Sequence, residues 1–167
     1  MIEVVPACLR DVSYVLYNLN PADEAETACQ IDPAIPRSHL AYALLMSGDN
    51  FAARIDDQPV AVFGTSPLNR CTQSVWALGT GRMRKVLPAI SRFMIDEHLP
   101  RLVADGYRYM EARSIETHVA AHRWLRWLGA EQHGGAFEFG RGGENFFLFR
   151  WTIGDFERIR AARRRAP

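Results

Sequence analysis

Lysine is almost absent from this sequence, no hydrophobic run is long, and neither sign of charge dominates. Lys85 is the only lysine, so nearly all of the 20 basic residues are arginines. They are balanced by 19 acidic residues, and the formal net charge of +1 gives no general attraction to nucleic acid. No apolar run approaches the roughly 20 residues that a membrane-spanning helix needs. Since the N-terminus also lacks the layout of a signal peptide, we expect a cytoplasmic protein.

Cysteine is scarce as well. Cys8, Cys29 and Cys71 are odd in number and share no metal-ligand spacing, which argues against a zinc site. We expect three reduced thiols in apolar surroundings. No internal repeat or linker is present. The 167 residues, 48% hydrophobic and 23% charged, are typical of one folded domain. We predict that this domain covers residues 1–153 and that residues 154–167 form a basic tail.

Hydrophobic periodicity predicts both helices and strands along the chain. The predicted helices are residues 7–19, 21–29, 37–46, 86–104 and 119–128, and a frayed helix from 156. The predicted strands are residues 2–5, 51–55, 59–65, 75–78, 107–114, 136–140 and 145–152. Gly64 is expected at a bulge and Gly134-Gly135 at a turn. Pro100 predicts a kink or a break near His98-Leu99.

The most informative stretch is residues 75–130, which is predicted as strand, loop, long helix, strand and second helix. Residues 79–85, called here the Gly/Arg loop, follow the first of these strands. Gly79-x-Gly81 and the cations after it predict a cradle of backbone N–H groups for an anion such as phosphate. The alternative is a basic, solvated turn in which glycine supplies unusual backbone angles.

This order of elements is similar to the GCN5-related N-acetyltransferase (GNAT) fold. Residues 116–130 resemble that family's closing motif, in which an Asn is followed by a small residue, an apolar-aromatic helix and a Gly-Phe. The resemblance implies a single-domain α/β protein, with a mixed, twisted sheet and helices on both faces.

The resemblance also implies acetyl-CoA as the cofactor, with its pyrophosphate on the Gly/Arg loop. The cofactor-binding residues expected on this ground are Leu78, Gly79, Thr80, Gly81, Arg82, Arg84 and Lys85. Trp76 stands where the family has an Arg or a Gln. The three cations of the loop could compensate for it by pairing directly with phosphate.

The family usually places a Tyr four residues before the glycine of the closing motif, where it protonates the departing CoA thiolate. Here that position is Leu125, and the Asn-like position is His118. His118 and His122 are therefore candidate acids, and Glu111 is a candidate base for the acceptor amine. The alternative makes both histidines surface or capping side chains, and Glu111 a solvent-facing residue of an alternating strand.

A narrower resemblance covers residues 58–64, the strand around Trp76, and residues 123–130. These segments resemble a small family of internal virion or assembly proteins of T7-like short-tailed phages. This resemblance implies a phage or prophage protein, in the host-cell cytoplasm or associated with the virion.

Three hypotheses follow for the function. The chain binds acetyl-CoA and acetylates an amine, or it keeps the fold without the chemistry as a virion-assembly protein, or it regulates a host protein. Nucleic acid is not an expected partner, because the arginine-rich tail lacks aromatic residues for base stacking apart from Phe156.

Overall fold

The computed structural model describes the backbone of residues 1–165 and the side chains of residues 1–162. The α-helices are α1 Leu9–Tyr17, α2 Pro21–Gln30, α3 Arg37–Met46, α4 Leu87–Phe93, α5 Leu99–Ala104, α6 Val119–Trp127 and α7 Ile153–Arg165. The strands are β1 Ile2–Pro6, β2 Asp49–Ile55, β3 Gln58–Pro67, β4 Thr72–Gly79, β5 Tyr109–Ile115, β6 Glu131–Glu138 and β7 Asn145–Thr152. No described helix is long and apolar enough to cross a membrane.

The seven strands form one sheet in the order β1-β2-β3-β4-β5-β7-β6. Strand β2 pairs antiparallel with β1 and β3, and β7 pairs antiparallel with β5 and β6. Strands β4 and β5 run parallel through Thr72–Ser74 and Tyr109–Glu111, which requires a crossover connection. The helical segments between β4 and β5 supply that connection. The predicted mixed α/β sheet is confirmed.

Contacts divide the chain into two compact units. The first unit comprises Met1–Pro67 and Val75–Ile90. The second comprises Leu68–Ser74 and the described chain from Ser91 onward. Strand β4 contributes residues to both units, so the units interleave in sequence.

One cluster in the core of the first unit consists of aliphatic side chains. Helix α1 directs Val12, Val15 and Leu16 into it, at the spacing that places side chains on one face of a helix. Ala41 of α3, together with residues of β2 and β3, completes the cluster. Each fully buried Val or Leu side chain contributes about 1.5–3 kcal/mol. This packing holds α1 and α3 against the strands.

A buried ion pair fixes the start of α1 to β2. Asp11 is fully buried, and its carboxylate accepts hydrogen bonds from Arg54 Nε (3.0 Å) and Nη2 (2.9 Å) and from the Cys8 N–H (2.9 Å). Burial alone would raise the pKa of Asp11, but these hydrogen bonds from Arg54 and Cys8 lower that pKa below its ordinary value. Cys8 itself is exposed, so apolar surroundings are the wrong expectation for this cysteine.

The core of the second unit contains a group of buried aromatic side chains from β7 and α7. Phe146 and Phe149 are fully buried, and Trp151 donates its indole N–H to the carbonyl of Leu128 (3.0 Å). Phe156 of α7 is also buried, with its ring centroid 6.4 Å from that of Trp151. The predicted C-terminal helix is therefore present from Ile153 onward and packs on the unit through Phe156.

The long helix predicted for residues 86–104 is broken. A π-helical turn, Met94–His98, separates α4 from α5, and Pro100 follows it at once. Because proline has no N–H to continue the α-helical ladder, the hydrogen-bonding pattern changes on its N-terminal side. The predicted break near His98-Leu99 is confirmed. It divides residues 86–104 into two short helices, α4 and α5.

Two glycine predictions are wrong. The irregularity of the β2–β3 hairpin lies between Ala53 and Arg54, not at Gly64. A Cβ on Gly64 would stand 2.3 Å from the carbonyl oxygen of Asp49, so this glycine permits a close approach of backbones. Gly134-Gly135 lies inside β6, where the register with β7 shifts, rather than in a turn before the strand.

Candidate functional site

The Gly/Arg loop begins at the end of β4 and lies wholly in the first unit. Thr80 forms an isolated antiparallel bridge with Leu19. A 3-10 turn, Met83–Lys85, then precedes α4. The loop thus ends in this turn, and α4 starts at Leu87, one residue after the predicted start.

Five backbone N–H groups of the loop are already used within the protein, and those of Arg82 and Lys85 donate to Oγ1 of Thr80 (3.3 Å) and to the carbonyl of Arg82 (2.9 Å). Gly79 donates to Oδ2 of Asp23 (2.7 Å), and Thr80 donates to the carbonyl of Val60 (2.9 Å). Met83 donates to the carbonyl of Thr80 (3.0 Å). Gly79 and Thr80 therefore shape the loop and offer no backbone donor to a ligand.

Two other N–H groups of the loop remain available. Those of Gly81 and Arg84 make no hydrogen bond within the part of the chain that the structure describes. Gly81 is exposed, and a Cβ built on it would meet no atom within 4 Å. Unbonded N–H groups close together in a turn are a recurrent way of binding an anion.

The predicted cofactor residues differ in what their side chains can offer. Arg84 and Lys85 are exposed and form no ion pair among the described residues. Arg82 donates from Nη1 to Oε1 of Gln58 (3.1 Å), so its guanidinium is partly engaged. Leu78 packs against the aliphatic cluster of the first unit and presents an apolar side chain.

Glu111, the candidate base, lies in the second unit and is 7% exposed. Its Oε1 accepts hydrogen bonds from Nε (2.9 Å) and Nη2 of Arg150, and its Oε2 lies 3.8 Å from Nη2 of Arg113. The expectation of a solvent-facing carboxylate is wrong. Strand β7 places Arg150 directly opposite Glu111, so the carboxylate is held by a cross-strand ion pair.

The two candidate histidines of α6 have different environments. His118 is the N-cap residue and is partly exposed, although its side chain makes no capping hydrogen bond. His122 is 4% exposed, with its Nε2 3.0 Å from the carbonyl of Ile115. Its ring centroid lies 5.3 Å from those of both Phe147 and Phe149. A surface position is therefore wrong for His122.

Solved structures match the chain along most of its length. For yncA from Salmonella typhimurium, solved with its cofactor acetyl-CoA, the TM-score is 0.69 at 12% identity, covering 91% of this chain and 94% of that one. A GNAT-family protein from Chromobacterium violaceum gives 0.71 at 13% identity, with 93% and 90% covered. The ribosomal-protein-S18-alanine N-acetyltransferase from Escherichia coli gives 0.65 at 15%, with 92% and 94% covered. The chain has the GNAT fold.

This assignment rests on structure. No protein-family model matches the sequence, and no curated protein matches it. The GNAT fold predicted from the sequence is confirmed, while the resemblance to phage virion proteins finds no support in these comparisons.

The position at which the GNAT motif has a tyrosine is occupied here by a buried apolar residue. Leu125 is 7% exposed and lies on the same face of α6 as His122 and Leu128, which are also buried. This spacing of three residues is that of a core-facing helix stripe. The departure from the motif is therefore accommodated by the packing of the second unit.

Asn20 and Asp23 are neighbours of the Gly/Arg loop that were not predicted from the sequence. Asn20 caps α2, accepting the N–H groups of Ala22 and Asp23 at 3.1 Å. The Asn-Pro pair at the helix start is a recognisable capping signal. Nothing local indicated that these residues also hold Gly79, which is 56 positions beyond Asp23.

Proposed function

We propose that the Gly/Arg loop binds the diphosphate of acetyl-CoA and that the protein transfers the acetyl group to an amine. The observation that carries this proposal is the pair of unbonded N–H groups at Gly81 and Arg84, accompanied by the exposed cations Arg84 and Lys85. Hydrogen bonds to a charged group contribute about 1.5–3 kcal/mol each. The open space at Gly81 leaves room for a phosphate to approach the backbone.

Acetyl-CoA, if bound there, would supply the acetyl group as a thioester, and transfer to an amine would require one proton to leave the amine and one to reach the sulfur. A carbonyl can only accept a hydrogen bond, so the Nε2 of His122 carries a proton that is directed at Ile115. His118, partly exposed at the helix start, is the better placed histidine to exchange a proton with solvent. A base role for Glu111 would compete with its contacts to Arg150.

Packing of Leu125 favours a second candidate function, in which the protein keeps the fold without the transfer reaction. Under this hypothesis the chain acts through its surface, as a virion-assembly protein of a phage or as a regulator of a host protein. Its support is the absence of the phenol together with the sequence resemblance. This hypothesis predicts that the protein binds acetyl-CoA but does not transfer its acetyl group to an amine.

Gly81→Glu tests the binding proposal. The fold has room for a side chain at this glycine, but a bound anion would not tolerate a carboxylate there. We expect calorimetry to give micromolar acetyl-CoA binding for the natural sequence, about −8 kcal/mol. The affinity should weaken at higher salt. Gly81→Glu should abolish the binding, since it places a carboxylate beside the donors.

Gly135→Glu is the matched control for this experiment. It makes the same change at an exposed glycine of β6 where an added Cβ also meets nothing within 4 Å. It should bind acetyl-CoA like the natural sequence. Unchanged affinity in Gly81→Glu would remove the loop from the site.

A further inference from the structure

The first residue of the Gly/Arg loop is held by the N-terminal turn of α2. The carboxylate of Asp23 accepts the N–H of Gly79 (2.7 Å) and the Nδ2 of Asn20 (2.8 Å), both on the same oxygen, Oδ2. Asp23 is 4% exposed, so water competes little for these contacts.

Asn20 binds the other backbone polar group of the same residue, the carbonyl of Gly79. Its backbone N–H (2.9 Å) and its Nδ2 (2.8 Å) both donate to the carbonyl of Gly79. Its Oδ1 is occupied as the N-cap of α2, which fixes the side-chain amide in one orientation. The N–H and the C=O of Gly79 are thus both bound to one helix turn.

The next residue of the loop, Thr80, is fixed by hydrogen bonds to other residues. Thr80 is 8% exposed, donates its N–H to Val60 of β3, and accepts the N–H of Met83 at its carbonyl. A side chain on Gly79 would displace Met83, because an added Cβ would lie 2.4 Å from its Sδ and 2.7 Å from its Cβ. The backbone therefore enters the turn at Gly81 in one defined direction.

We propose that Asn20 and Asp23 are positioning residues of the anion site. Acting through Gly79, they set the direction of the unbonded N–H groups of Gly81 and Arg84. The inference rests on the proposed acetyl-CoA site and adds the residues that preorganise it. A binding loop gains affinity when its bound conformation is fixed before the ligand arrives.

The test separates the geometry of Asp23 from its charge. Since both contacts use one oxygen, the amide oxygen of Asp23→Asn can keep them, whereas Asp23→Ala removes them. We expect Asp23→Ala to raise the Kd for acetyl-CoA at least about tenfold and Asp23→Asn to stay within about threefold of the natural sequence. All affinities are measured well below the unfolding midpoint of every variant.

Asn18→Ala is the control for loss of an asparagine near a helix end. Its side chain donates to the carbonyl of Tyr14 (2.8 Å), and among the described residues it makes no hydrogen bond to the loop. It should leave the Kd unchanged, while Asn20→Ala should raise it as Asp23→Ala does. Natural affinity in both Asp23→Ala and Asn20→Ala would overturn the proposal.

An NMR readout distinguishes failure of this inference from failure of the proposed function. The backbone amide shifts of Gly81 and Arg84, and the exchange protection of the Met83 amide, are measured without ligand. Asp23→Ala should move these shifts and reduce the protection, and Asp23→Asn should not. If the natural protein binds no acetyl-CoA, the cofactor proposal fails, and unchanged amides in Asp23→Ala would independently overturn the positioning role.

Discussion

The polar groups of the Gly/Arg loop and those of helix α6 differ in exposure and in hydrogen bonding. At an exposed turn of the loop, the N–H groups of Gly81 and Arg84 have no hydrogen bond to any described residue. Helix α6 buries His122 and places its ring nitrogen against the carbonyl of Ile115. The loop is therefore available to a ligand, whereas the buried face of the helix is committed to packing.

The difference has a thermodynamic reason. A buried donor or acceptor without a partner costs about 1–3 kcal/mol, while an exposed one is satisfied by water. The loop can thus keep free donors at little cost to stability, but His122 must be paired because it is buried. The free donors lie at an exposed turn of the first unit, and Leu125 belongs to the core of the second unit.

The largest expected effect comes from removing the charges of the loop. Replacing Arg84 and Lys85 together by Ala should lower the affinity for acetyl-CoA at least about 100-fold, because each phosphate contact contributes about 1.5–3 kcal/mol. The double variant Arg92→Ala with Arg123→Ala removes equal charge from exposed positions elsewhere and serves as control. Calorimetry at low and high salt measures both. Equal losses in the two double variants would point to net charge rather than to the loop.

Restoring the phenol to α6 tests whether the chemistry can be regained. Leu125→Tyr should raise the acetyl-transfer rate about 100-fold over Leu125→Phe, the low end of what a positioned proton donor contributes. Both changes overfill a buried site, at a cost of about 1–3 kcal/mol, so the comparison isolates the hydroxyl. Steady-state kinetics with a panel of amines gives the ratio. Equal rates for the two variants would show that this position takes no part in proton transfer.

Local patterns predicted much of the fold. Helix α3 has the predicted bounds, because its apolar spacing and Gly48 are local signals. The prediction of a turn at Gly134-Gly135 was wrong because β6 pairs with β7 on both sides of these glycines, which lie at the shift in register. The hold of Asp23 on Gly79 could not be predicted, since it joins residues far apart in sequence.

For the site, the residue types of the loop indicated an anion, but they could not indicate which N–H groups remain free. That depends on Asp23 and Val60, which are supplied by other elements. The burial of His122 was predictable in principle, because it lies three residues before Leu125 on the apolar stripe of α6. Its pairing with a backbone carbonyl required the structure.

The smallest expected effect concerns the packing role of His122. His122→Phe keeps an aromatic ring beside Phe147 and Phe149 but removes one of the two donors to the carbonyl of Ile115, which keeps the His118 N–H (2.9 Å). We expect the free energy of unfolding to fall by about 1 kcal/mol in urea titrations, with acetyl-CoA affinity and transfer rate unchanged. His133→Phe, at an exposed position of β6, should stay within about 0.5 kcal/mol of the natural sequence. If His122→Phe kept natural stability but lost acetyl transfer, His122 would instead take part in the reaction. Helix α6 would then carry a catalytic group despite the burial of that residue.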